Sequence, residues 1–549
     1  MSYAARVLMG RTQPWVPFVL MAGLMSVGLY SSGRVATGDA PHILAISQKL
    51  SAMLGRGEFL IFYESLSSLV SPHPPGGYLL AVVLDLVGWT NIPVGVSIIG
   101  LALAWHGMVL LSRRDGKSSW GPWLGGLLMM SSGLVWFSVE QMTWDLLAAG
   151  CVAACVGHLH ASDGLRKLGH ALYFGLFMGL GFVTKYTFPA FLLLPVLFAG
   201  WAIIRFRSFT GLLVALAAFL FVAAPWYWGH AEAVLAYVAH SSNAAASISD
   251  SPASSWVQRL SAENLLYYPT VLRDMLGWPG LMVVGVAISR AWASPPGRWA
   301  SWGVLGGGLV LTFAGENQSR YLLPALPLLA AIVDVGIRPG LGQTASRFGL
   351  VAGLGAALPA AWGSWTAYSG QERAPASRDQ THAVESLMTW GDWPWVSGPF
   401  RPVSNPMEEW RVDEALGALA MATGPGAHQV GLLLPRDVRL PPSSSYAWRA
   451  GERGLDWDFA SVVTGGPHRR PMIFVGPLKP LGHKISRRFS VAYAVHPKGQ
   501  PPAVLQALSA TATWTHALPH DLQGSVYEVS AEGWLSELGE ALQKDPIDG

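Results

Sequence analysis

Apolar runs long enough to cross a bilayer as helices recur at 14–32, 92–112, 120–139, 144–161, 169–184, 187–204, 209–228, 277–290, 299–315, 320–337 and 347–366. The pattern predicts about eleven spans. The run 77–90 is also apolar, but it is short and carries Asp85. Counted as a crossing, it would invert every later connection. Segments 41–54 and 76–89 are therefore expected as helices lying in or against the membrane interface, inside one long first loop over 33–91. A second large loop is expected over 229–276. Beyond about 370 the long runs give way to short β-type ones, Val430–Leu434, Met472–Val475 and Ser490–Ala494, separated by turn residues. That change predicts a small α/β domain over 369–549, with 369–410 as a Trp- and Pro-rich linker or cap, following a transmembrane domain over 1–368.

Charge placement orients this arrangement. With residue 1 cytoplasmic, the inner connections hold Arg6 and Arg11; Arg113, Arg114 and Lys117; Arg166 and Lys167; Arg205 and Arg207; Arg290 and Arg298; and Arg338 and Arg347. Only Asp115 and Asp163 dilute these thirteen cations, as expected of cytoplasmic loops. The other connections are acidic or mixed and collect Asp39, Glu58, Glu64, Asp85, Glu140, Asp145, Lys185, Glu316 and Arg320. An odd number of spans places the C-terminal domain on that outer, extracytoplasmic side of the cell inner membrane.

Composition rules out a soluble chain of this size. Hydrophobic residues make up 51% and charged residues 13%, and the mean hydropathy is +0.35; a soluble surface needs more charge. The two cysteines, Cys151 and Cys155, share one apolar run and read as core filler rather than a redox pair. Residues 1–33 have a basic start and an apolar centre, which reads as an uncleaved first span because more spans follow. No nucleic-acid signature is present.

Candidate chemistry gathers at the outer connections. Asp39, between Gly38 and Ala40-Pro41, suits a general base, a ligand for a divalent cation or a helix N-cap. His73 in Ser71-Pro72-His73-Pro74-Pro75 is a ligand, a phosphate partner or a solvated loop residue. Asp145 is expected to open a helix, where the helix dipole favours an acid, and to serve as a supporting catalytic acid beside Asp39. Lys185 either snorkels to headgroups or clamps a phosphate. Arg320 beside Tyr321 is a second candidate phosphate contact. His158 and His160, near the other membrane face, form only a weak metal candidate. The pairs Gly121/Gly125 and Gly175/Gly179 favour close helix packing.

Gly38-Asp39 after the first span, His73-Pro74-Pro75, Asp145, Gly179-Leu180-Gly181-Phe182-Val183-Thr184-Lys185, Pro225-Trp226-Tyr227 and Arg320-Tyr321-Leu322-Leu323-Pro324 follow one another in order over roughly residues 10–340. This ordered set resembles the GT-C-fold membrane glycosyltransferases, which include the family 39 protein O-mannosyltransferases and the bacterial aminoarabinose transferases. The resemblance implies transfer of a sugar, with inversion, from a polyprenyl-phosphate carrier to a periplasmic or outer-leaflet lipid, glycan or protein. It implies Asp39 as the first-loop acid, often beside a divalent metal ion in the family. Where the family often has Asp-Glu, this chain has Asp39-Ala40; His42 is then the substitute ligand. Two rivals stay open: a transporter or lipid flippase, and a non-catalytic scaffold on the same fold.

Overall fold

A computed structural model describes residues 40–70, 73–89, 91–112, 142–248, 260–314 and 319–337, then 412–423, 428–435, 457–464, 472–475, 488–497, 510–517 and 522–534, with isolated positions at 15, 18, 19, 22, 23, 129, 135, 138 and 139. Asp39 lies outside the described residues, as do Gly121, Gly125, the span expected at 347–366 and most of those at 14–32 and 120–139.

The first part is helical: α1 Ala40–Gly55, α2 Phe59–Val70, α3 Gly76–Leu86, α4 Ile92–Ser112, α5 Asp145–Ala161, α6 Leu168–Phe182, α7 Phe188–Phe206, α8 Phe209–Ile248, α9 Ala262–Ala291, α10 Pro295–Ala314, a 3-10 turn Ser319–Leu322 and α11 Ala325–Ile337. Local chemistry sets several starts. The Asn91 side chain accepts from the Val94 amide at 3.2 Å, capping α4, and Ser261 does the same for Asn264 at 3.3 Å to start α9. Between α5 and α6 the chain reverses through Asp163, Gly164 and Leu165, all with positive φ.

Among the described residues, three helices are long and apolar enough to cross a bilayer: Ile92–Ser112, Phe188–Phe206 and the Phe209–Tyr237 part of α8. Their outer surfaces invert the soluble rule. Leu197, Ile204, Leu213 and Phe221 are 62%, 73%, 64% and 79% exposed, whereas α5 is buried almost throughout. An apolar rind around a buried helix is what lipid as solvent selects. The protein is a polytopic helical membrane protein.

Close approach of backbones builds the centre. Gly100 and Gly107 on α4 face Gly150 and Gly157 on α5, each pair seven residues apart on one helix face. A Cβ at Gly107 would run into the backbone of Ala153–Ala154. Gly175 on α6 is pressed in the same way against Ala215 of α8, as small-residue membrane interfaces are. Cys151 and Cys155 are buried free thiols in this core.

Two stretches outside the expected spans are helical. The connection expected at 229–276 is largely helical: α8 runs on to Ile248 and α9 begins at Ala262. Its alanine-rich stretch, His230 to Ile248, has high helix propensity despite its polar residues. The first loop also holds one more helix, α2, between those expected at 41–54 and 76–89. Its acid and serines interrupt an otherwise apolar sequence, Phe59 to Val70. Asp85, the charge that argued against a span, sits on α3 and accepts a hydrogen bond from Ser51 Oγ of α1.

Farther along, six strands form one sheet: β1 His428–Pro435, β2 Trp457–Thr464, β3 Met472–Val475, β4 Arg488–Pro497, β5 Ala510–Ala517 and β6 Leu522–Trp534. Their order is β3-β2-β1-β4-β6-β5. The central β1 pairs in parallel with β2 and β4, while β3 and the β5–β6 hairpin are antiparallel. Helix α12, Val412–Thr423, packs against β4 and β6, with Leu416, Leu419, Ala494 and Val526 fully buried. Val430 to Leu434 is apolar because the central strand carries neighbours on both edges.

Candidate active site

The site is built at the starts of α3 and α5, the end of α6, the interior of α8 and the 3-10 turn Ser319–Leu322. Pro74-Pro75-Gly76-Gly77 delivers the chain into α3 at unusually short range. The Gly76 amide donates to the Val183 carbonyl, and a Cβ there would sit 2.6 Å from that oxygen. A Cβ at Gly77 would land inside the Trp144 indole. The two glycines thus let the loop lie flat on the two residues that precede Asp145 and Thr184-Lys185. Tyr78 packs edge-on to Trp144, with ring centroids 5.4 Å apart.

Tight turns then place the charges. Met142 is buried with a φ of 49°, a left-handed conformation that costs a non-glycine residue free energy. Thr143 is held by Ser138, with their hydroxyls 2.7 Å apart. Asp145 follows as the first residue of α5. At the end of α6, Thr184 Oγ1 donates to the Leu180 carbonyl at 2.6 Å, and the Lys185 amide donates to Gly181 at 3.1 Å. The chain therefore turns with the Lys185 side chain directed at α5.

Lys185 Nζ forms an ion pair with Asp145 Oδ1. The carboxylate is 1% exposed and the lysine side chain 16%. A buried carboxylate without its cation would carry a desolvation cost of several kcal/mol, so the two residues hold each other in register. Lys185 Nζ also lies 5.0 Å from the Tyr321 ring centroid, and Arg320 Cζ lies 5.8 Å from the same ring. Asp145, Lys185, Arg320 and Tyr321, far apart in sequence, converge on one place. Asp145 Oδ2 is buried and has no hydrogen-bond partner among the described residues.

A neutral surface adjoins these charges. Tyr186 and Tyr237 approach with ring centroids 5.5 Å apart, and His73 meets Tyr237 edge-on at 5.1 Å. The Tyr186 hydroxyl and Thr187 Oγ1 are buried without a partner among the described residues. Burial pushes the Tyr186 phenol well up, with Tyr227 and Tyr237 adding to it, so it stays protonated and able to donate. Tyr227, by contrast, donates to the Phe182 carbonyl at 2.8 Å. Sequence reading placed His73 in a loop but missed Gly76–Gly77, Tyr186, Thr187 and Tyr237. Its one signal was the Gly-Gly step straight after Pro-Pro.

The metal candidates fall only partly within the described residues, since Asp39 lies outside them. Among the described residues no group of three or more His, Cys, Asp and Glu side chains could hold an ion. Asp145 has one oxygen engaged by Lys185, and His42 lies on α1, in the turn that follows Asp39. His158, near the other membrane face, stands 3.0 Å from His106 and 3.0 Å from His170, one through each ring nitrogen.

Residues 72–313 match the model of Glycosyltransferase family 87. That segment contains the loop glycines, Asp145, Lys185 and Tyr237. The chain is a membrane glycosyltransferase. The transferase shares its fold with ArnT from Cupriavidus metallidurans in the apo state, at 14% identity and a TM-score of 0.58, over 95% of this chain and 99% of that one. It is equally similar in sequence to the same protein bound to undecaprenyl phosphate, at 14% identity and a TM-score of 0.55, over 95% and 98% of the two chains. The fold is thus GT-C-like. No curated protein sequence matches the chain.

Proposed function

We propose that this transferase takes a sugar from a polyprenyl-phosphate carrier at the extracytoplasmic side of the membrane and transfers it, with inversion, to an acceptor hydroxyl. The observation that carries the reading is the buried Asp145–Lys185 pair beside Arg320 and Tyr321. In the reaction the bond from the anomeric carbon to the phosphate oxygen breaks. The leaving phosphate gains negative charge, and cations already in place stabilise that charge without having to reorganise. Lys185 and Arg320 fill that role. Asp145 is a positioning residue, since its carboxylate holds Lys185 rather than standing ready for a proton. That solved ArnT binds undecaprenyl phosphate supports the carrier class.

The acceptor oxygen attacks the opposite face of the anomeric carbon and its proton passes to a base. Asp39, next to α1, is the residue proposed for that step, and a carboxylate within hydrogen-bond reach of the hydroxyl suffices. Helix α2 exposes Phe59, Leu60, Ile61 and Tyr63, which suits a helix lying in the headgroup region, and α1 and α3 anchor it to the site. The charge asymmetry of the connections supports a cytoplasmic N-terminus. The sheet domain over the C-terminal region is proposed to stand on the extracytoplasmic side, where an acceptor would be met.

Proteoliposomes given polyprenyl-phospho-sugars of several kinds, with release of free polyprenyl phosphate as readout, test this. Wild type is expected to turn over at least one donor, and Asp39→Asn to bind it but not turn it over. Full turnover by Asp39→Asn would remove Asp39 as base. Failure of wild type on every donor, with labelled carrier instead moved across the bilayer, would favour a flippase.

A further inference from the structure

The charged part of the site and the neutral part beside it differ in what they can bind. Lys185 and Arg320 suit an anion. The surface made by Tyr186, Thr187, Tyr237 and His73 has no formal charge when the histidine is neutral. It offers aromatic faces and two buried hydroxyls that find no partner among the described residues. A buried hydroxyl left unpaired costs about 1–3 kcal/mol, so such groups are retained where something else completes them. A phosphate is a poor match, because the cations lie next door and the hydroxyls offer it no charge. A polyprenyl tail is a worse one, because it would bury the hydroxyls for good. A pyranose or furanose ring suits the surface, since it presents hydroxyls at its rim and C–H groups on its faces.

We propose that Tyr186 and Thr187, with the Tyr237 ring as the platform between Tyr186 and His73, form the surface that reads the sugar of the lipid-linked donor. This deepens the proposed function and rests on it: the phosphate at Lys185 fixes the anomeric end, and the sugar ring extends over the neighbouring residues of the same turn. Tyr186 follows Lys185 directly in sequence, so one tight turn sets both the charge and the hydroxyl. Tyr186 is then a specificity residue. It contacts sugar hydroxyls, and the buried, protonated phenol serves as donor. His73, exposed at the rim of the platform, sits where the ring's far edge meets solvent.

The test is equilibrium binding by the full chain in nanodiscs, with two kinds of probe. One is bare undecaprenyl phosphate. The other is a panel of undecaprenyl-phospho-sugars carrying mannose, glucose, galactose or arabinose. Wild type is expected to bind at least one sugar-bearing carrier more tightly than the bare one. Tyr186→Phe is expected to shrink that advantage about tenfold, the scale of one buried hydrogen bond, while leaving bare-carrier affinity within twofold of wild type. Thr187→Val and Tyr237→Leu carry the same expectation and stand in if Tyr186→Phe does not fold. The inference is overturned if the variants weaken bare and sugar-bearing carriers equally, or if wild type prefers no sugar on the panel. Wild type that binds neither kind of carrier would overturn the donor assignment itself, a result distinct from those two.

Discussion

Helix α5 carries a polar cluster at each end, and the two are built on opposite principles. At the far end, His158 bridges His106 and His170, and each contact joins ring nitrogens 3.0 Å apart. Neutral imidazoles have one donor and one acceptor each, so the three rings can satisfy one another. His158 also stacks with Tyr173 and Phe177, and the three histidines tie α4, α5 and α6 together. At the near end, Asp145 and Lys185 satisfy each other only in part: Asp145 Oδ2, the Tyr186 hydroxyl and Thr187 Oγ1 are buried with no partner among the described residues. A closed cluster holds helices. An open one, maintained by a left-handed Met142 and two glycines that tolerate no side chain, is where a ligand is expected to complete the set.

The comparison breaks most easily at Lys185. Lys185→Met, which keeps the length and removes the charge, should lower sugar transfer by about 100- to 1,000-fold, the range for loss of one preorganised stabilising group; initial rates at saturating donor measure this. Asp145→Asn should cost less, about 10- to 100-fold, because Lys185 remains but loses the partner that orients it. Its signature would be a fall in turnover that Asp145→Glu partly rescues. Gly77→Ala should come third. The added methyl must displace the Trp144 ring at a cost of about 1–3 kcal/mol, and transfer should drop about tenfold through misplacement of Asp145. His158→Asn should sit at the bottom of the order for catalysis and higher for stability. Thermal unfolding in detergent should show a loss of about 1–3 kcal/mol for the broken hydrogen bonds, with transfer per folded molecule unchanged. A histidine variant that abolished transfer while folding normally would erase the distinction between the two ends.

Much of the helical part was legible because lipid imposes a simple code. The runs at 92–112, 144–161, 169–184 and 187–204 correspond closely to α4, α5, α6 and α7. Asp145 at a helix start and the Gly175/Gly179 packing face were readable from position alone. The extension of α8 to Ile248 was not, because its alanines, histidines and serines lack the hydropathy that marks a span while keeping the propensity that makes a helix. Asp145, Lys185 and Arg320 could be named from charge at the ends of spans, with Tyr321 beside Arg320, and these converge. The neutral residues could not. Tyr186, Thr187 and Tyr237 are ordinary in sequence, and only the position of their hydroxyls in three dimensions distinguishes them from interfacial aromatics. Gly76–Gly77 likewise became meaningful only once Trp144 and Val183 were found against them.

The central claim is that Lys185, held by Asp145, receives the phosphate of the lipid carrier. Equilibrium binding of undecaprenyl phosphate to wild type, Lys185→Met and Lys185→Arg in nanodiscs tests it most directly. The account predicts a weakening of about 10- to 100-fold for Lys185→Met, the worth of a charge-assisted contact, and a smaller one for Lys185→Arg. Affinity unchanged in Lys185→Met, in protein that is folded and inserted, would contradict it.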